Sequence, residues 1–161
     1  MNTKELIKSI ISGNAKDFKR FELLENFAII CDSKEDIEFL VNILTCDRSS
    51  VVRHEAAAQL LKIEQKKPWV LKPMKSYVIR KLLNVVITDT SLVAKHESVE
   101  ALSYIGDSSV LIELNKLIEN SGEDEISDTI QLAIETIEYR IVKNINAHEL
   151  SDAILSEAIK L

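Results

Sequence analysis

Two stretches of this chain repeat one another, and that repetition limits the possible fold more than any other feature. Asp47-Arg-Ser-Ser-Val-Val-Arg-His-Glu-Ala-Ala-Ala-Gln-Leu-Leu-Lys-Ile63 lies in phase with Asp89-Thr-Ser-Leu-Val-Ala-Lys-His-Glu-Ser-Val-Glu-Ala-Leu-Ser-Tyr-Ile105. The Asp, a Val, the basic residue, His, Glu and the closing Leu and Ile all coincide. A weaker third copy runs from Asp124 to Ile137, with Ala133 standing where the others have Ala56 and Ser98. The copies are offset by 42 and 35 residues, in or near the range of repeats built from a pair of helices.

Apolar residues recur at helical spacing almost throughout. Leu6, Ile7, Ile10 and Ile11 form one short face; Phe18, Phe21, Leu24, Phe27 and Ile30 form the next. Asp32-Ser33 offers a helix cap, with Glu35 and Asp36 in the first turn behind it. Further helices are expected over about 76–87, 91–105, 108–119, 126–142 and 147–160, with breaks at Gly106-Asp107 and Ser121-Gly122. Both prolines, Pro68 and Pro73, and the single tryptophan, Trp69, fall in 66–75, which reads as a connector holding a short turn. Short links imply antiparallel helix pairs. Such a pair cannot bury its apolar face alone, so successive pairs stack into a continuous core. The expected fold is therefore all-α: HEAT-like antiparallel helix pairs in a short right-handed superhelical solenoid. One domain would span 1–161, with core repeats at about 15–143 and accessory terminal helices at 2–12 and 147–160.

Composition agrees with helices. Hydrophobic residues make up 46% of the chain but aromatic ones only 5%, and 3 Gly and 2 Pro leave little turn chemistry for many short strands. A net charge of −6 gains nothing from neutralising phosphates, which argues against nucleic acid as a partner. No apolar run approaches a membrane span and the N-terminus has no signal-peptide pattern, so the expectation is a cytoplasmic protein without a membrane partner. Cys31 and Cys46 have no C-x-x-C spacing and sit in apolar stretches, where small, buried, reduced residues are expected. Neither has an adjacent histidine in sequence, and no Gly-rich phosphate loop is present.

The chemistry-bearing residues are His-Glu steps. The chain has 3 histidines, His54, His96 and His148, and each is followed by a glutamate. His54-Glu55 and His96-Glu97 share one repeat phase, whereas His148-Glu149 lies outside it and reads as surface. Second helices of adjacent repeats run side by side about 8–10 Å apart, so residues of equal phase stand at equal height. Adjacent residues on a helix point about 100° apart, so one pair need not face a single point. Two neighbouring pairs can nevertheless supply two imidazoles and a carboxylate to one ion, a set that suits non-haem Fe(II) and leaves positions open. Spacing alone equally allows zinc, no metal at all, or a plain solvated face or hydrogen-bond ladder.

Val52-Arg53-His54-Glu55-Ala56 and Lys95-His96-Glu97-Ser98-Val99-Glu100-Ala101-Leu102, closed by Ile105-Gly106, resemble the paired His-Glu motifs of the deoxyhypusine hydroxylase family, HEAT-repeat di-iron monooxygenases. Asp128 to Tyr139 resembles the repeat that closes each half of that family, with Gln131-Leu132 in place of His-Glu, and Arg20-Phe21-Glu-Leu-Leu24 resembles the half's opening repeat. The resemblance implies that His54, His96 and Glu97 are ligands of one iron. It also implies that Glu55 faces the substrate, a modified lysine on a translation factor. Family enzymes have two such halves, one per iron; this chain has one. It carries the extra segment 66–75 between its pairs, and Leu61 where a glycine is usual. A homodimer could rebuild the iron pair, or each chain could hold one ion. The competing expectation is a non-catalytic HEAT scaffold for protein–protein interaction. A phycobilin-lyase-like repeat protein is a third, without any chromophore-attachment signal to carry it.

Overall fold

The computed structural model describes residues 3–12, 15–121 and 126–143. Among them all regular structure is helical: α1 Thr3–Ile11, α2 Asp17–Ile30, α3 Lys34–Cys46, α4 Ser50–Lys66, α5 Pro68–Leu71, α6 Lys75–Thr88, α7 Leu92–Ile105, α8 Ser108–Ser121 and α9 Ser127–Lys143, with a 3₁₀ turn over Lys72–Met74. The expected terminal helix at 147–160, His148-Glu149 and Asp124 lie outside the described residues.

Local chemistry sets the boundaries. At the start of α3 the Asp36 N–H donates to Ser33 Oγ at 3.2 Å and the Ser33 N–H donates back to Asp36 Oδ2 at 3.2 Å, a reciprocal capping box. Pro68 opens α5 at a position whose N–H needs no helical partner. The connector 66–75 holds a short helix and a 3₁₀ turn: α4 leads directly into α5, and Val70, Leu71 and Met74 are buried while Trp69 stays exposed. Of the two cysteines, Cys31 is buried as expected and Cys46 is not. Cys31 caps the end of α2, and Cys46 is exposed at the last residue of α3. Burial, and then the Asp36 carboxylate, push the Cys31 thiol up to about 12, which leaves it a packing residue.

Packing follows the order of the chain. The second helices α2, α4, α7 and α9 contact one another in sequence, α4 against α7 most extensively, and each packs on the helix before it: α1 on α2, α3 on α4, α6 on α7 and α8 on α9. The apolar faces meet in one cluster that includes Leu24, Phe27, Leu40, Leu44, Leu60, Leu82, Leu102 and Ile137. Ala56, Ser98 and Ala133, in phase across three copies, are all buried.

A second set of in-phase residues ties one helix pair to the next. Arg20 on α2 grips both carboxylate oxygens of Asp47 in the turn before α4, and its Nε donates to the Ile10 carbonyl at 2.8 Å. Arg53, its counterpart on α4, grips Asp89 before α7 with two bonds of 2.7 Å. Each aspartate also accepts from the backbone N–H two residues on, Ser49 or Ser91. Both carboxyls are held below their ordinary range. For Asp89 the Arg53 hydrogen bond is the chief cause; for Asp47 burial pushes upward, but the bonds from Arg20 and the Ser49 N–H outweigh it.

A carboxyl held low in the folded chain stabilises it fully above the ordinary carboxylate pKa, and that stabilisation disappears as pH falls through the folded value. Melting temperature should therefore change little on this account at neutral pH and fall below about pH 4. The Asp47→Asn, Asp89→Asn double variant, already less stable, should show a shallower acid limb. Thermal melts by circular dichroism across pH measure both slopes; parallel limbs would mean the pairs do not set the acid response.

Candidate metal centre

The seam between α4 and α7 brings the histidine of one His-Glu step against the glutamate of the other. The Arg53–Asp89 clamp sits one residue before His54 and holds the start of α4 to the turn leading into α7. Small residues line both helices: Ala56 and Ala57 on α4 and Ala94, Ser98 and Ala101 on α7 are all fully buried. They let the backbones approach closely.

Across this seam His54 Nε2 lies 3.0 Å from Glu97 Oε2. The contact is diagonal, from the histidine of one copy to the glutamate of the next. Both side chains are mostly covered, 27% and 14% exposed. The Glu97 hydrogen bond raises the His54 pKa against the opposing effect of burial, and the charges of Glu97, Glu55 and Glu100 add to the rise. His96 is exposed, one step along α7. Its ring nitrogen, a Glu97 oxygen and a Glu100 oxygen all lie within 4.8 Å of one another. Ligand atoms on opposite sides of an ion with bonds of about 2.1 Å are about 4.2 Å apart, so this set closes on a metal with a small side-chain adjustment. One imidazole and two carboxylates are donors that a divalent first-row ion accepts.

Glu97 is thus the shared residue, bonded to His54 on one side and clustered with His96 and Glu100 on the other. Glu100 is absent from the His-Glu pattern, yet its signal was in the sequence: it stands four residues after His96 and three after Glu97, on their face of the helix.

Glu55 is turned to the other flank of α4. Its carboxylate is buried, accepts a hydrogen bond from Gln59, and lies 4.0 Å from Lys62 Nζ. Lys62 also reaches Glu25 of α2, at 3.3 Å. Burial raises the Glu55 pKa, and the Gln59 bond and the Lys62 charge oppose the rise. Beyond these residues a cavity of about 750 Å³ opens between α2 and α4, lined among others by Glu22, Glu25, Asn26, Gln59 and Lys62. In the third copy Gln131 bonds its neighbour Glu135 at 2.9 Å and Leu132 is exposed, so no His-Glu step continues the series there.

Comparison with curated proteins finds similarity to the deoxyhypusine hydroxylase of Saccharomyces cerevisiae, 26% identical over 150 residues, covering 85% of this chain and 43% of that protein. The chain therefore spans less than half the length of this relative. No protein-family model matches the chain, and no solved structure matches it. No helix among the described residues is long and apolar enough to cross a membrane.

Proposed function

We propose that this chain is a HEAT-like solenoid carrying an iron-dependent, hydroxylase-like half-site at the α4–α7 seam, acting on an amine or lysine-like group. The observation that carries the reading is that Glu97 both bonds His54 across the seam and clusters with His96 and Glu100 on α7. The distant similarity to a deoxyhypusine hydroxylase over 85% of the chain supports the choice of iron. His54, His96 and Glu97 are the ligands the resemblance implies. Bound iron with open positions supplies activation of O₂ toward hydroxylation.

The remaining residues prepare the site. Glu97 bridges α4 and α7, so losing it would open the seam as well as remove a donor. Glu55 is the residue the resemblance gives to the substrate amine. Here the Lys62 ammonium stands in for that amine, 4.0 Å from the buried carboxylate, and must swing toward Glu25 before another cation can take its place. One half-site per chain makes a symmetric homodimer the natural way to face two irons, in a cytoplasmic setting where thiols stay reduced.

The test is iron content after anaerobic purification. Wild-type chain is expected to hold close to one Fe(II), and the His54→Ala, His96→Ala double variant close to none. Equal, near-zero iron in both sinks the reading. It would then favour a non-catalytic scaffold, for which one observation speaks: Phe18, Val51 and Val93, in phase on α2, α4 and α7, are all exposed apolar residues, a row on which a protein partner could dock.

A further inference from the structure

Three clustered donors at the seam come from a single helix. His96, Glu97 and Glu100 occupy one face of α7, and one donor atom from each falls within 4.8 Å of the other two. We propose that Glu100 is itself a ligand of the ion, so that α7 alone supplies one imidazole and two carboxylates and His54 joins from α4 as the fourth. This rests on the iron-site reading above and changes which residues hold the metal most tightly.

Geometry, organisation and charge all point the same way. The i, i+4 relation of His96 and Glu100 places both on adjacent turns, and a rigid helix holds them without ordering a loop. A chelate within one helix costs less to organise than one that depends on two helices keeping their register. Glu97 is already engaged by His54, so Glu100 provides the second anionic oxygen that a doubly charged ion needs for neutrality. His96 and Glu100 are exposed, so an ion can reach them without unpacking the seam. Two carboxylates with imidazole favour Fe(II) or Mn(II) over ions that prefer thiolate.

The test is an anaerobic titration of the full chain with Fe(II), and with Co(II) as a spectroscopic reporter. Wild type is compared with Glu100→Gln, His96→Ala, His54→Ala and, as a control on another helix, Glu113→Gln. Glu100→Gln should weaken Fe(II) binding by about tenfold or more, comparable with His96→Ala and more than His54→Ala, and should change the visible Co(II) spectrum. Metal-free melting temperatures of Glu100→Gln and wild type should coincide, because Glu100 is exposed. If Glu100→Gln binds as tightly as wild type while His54→Ala and His96→Ala lose the metal, the inference is overturned and the iron reading stands. If wild type binds neither ion, both fall.

Discussion

Replacing Asp47 by Ala should remove about 3–5 kcal/mol of stability, because it strands a buried guanidinium. Arg20 is only 4% exposed, and its donors reach Asp47 and the Ile10 carbonyl, with Asp17 a weaker partner at 3.7 Å. One side chain thereby joins α1, α2 and the α3–α4 turn. With the Asp47 carboxylate gone, the positive charge keeps its desolvation cost and is left with only the half-exposed Asp17 carboxylate, 3.7 Å away. That loss is a large part of the 5–15 kcal/mol that holds a typical domain, and should lower the melting temperature on the order of 10 °C. Arg20→Met in the Asp47→Ala background should recover part of it by removing the orphaned charge. Denaturant melts of the two single variants and the double variant form a cycle that gives the coupling directly. Additive losses, with no recovery, would mean the pair contributes through packing rather than charge.

The repeat made much of the architecture legible. Helices α2, α3, α4, α6, α7, α8 and α9 fall close to where apolar periodicity places them, because each buries one stripe and each boundary has a local cause, such as the Ser33 box or Gly106 at the end of α7. In 66–75 the prolines mark a connector, and what they do not show is the burial: Pro68 begins a short helix that covers Val70 and Leu71. The exposure of Cys46 is hidden likewise: its apolar neighbours on α3 are buried, but it sits at the last turn on the opposite side.

The candidate ligands can be named from the sequence, but the contacts between them cannot. The phase shared by His54 and His96 puts them on the packed helices α4 and α7, but does not give the contact of His54 with Glu97, which runs diagonally from one repeat to the next. The same offset hides the Arg53–Asp89 pair, whose members are 36 residues apart. Such partners can be read only once the height of one helix against its neighbour is known. The orientation of Glu55 is a smaller matter of the same kind. Adjacent residues diverge by about 100° on a helix, so when His54 faces α7 the next side chain turns toward α2, where Gln59 and Lys62 meet it.

That dependence on height leads to the second large expected effect. Asp89→Ala should lower both stability and iron affinity although Asp89 touches none of the candidate ligands. The Arg53 guanidinium spans Asp89 and the Asp47 carbonyl, 2.8 Å from the latter, so it fixes the turn before α4 and the turn before α7 against each other. Freed from Asp89, α7 can slide along α4, and a displacement of about 1 Å is enough to part hydrogen-bonded atoms such as His54 Nε2 and Glu97 Oε2. The unpaired, mostly buried guanidinium should cost about 2–3 kcal/mol. Because the clamp orients residues that would hold the ion, iron affinity should fall roughly tenfold. Lys95→Ala, in the phase of Arg53 but one copy later, provides a comparison on the ligand helix itself and should leave iron binding nearly unchanged. Melting curves and Fe(II) titrations on the same preparations separate the two effects. A variant that loses stability yet binds iron as tightly as wild type would show that the apolar seam of Ala57, Ala94 and Ala101 alone sets the register, and that the Arg53–Asp89 clamp serves the fold but not the site.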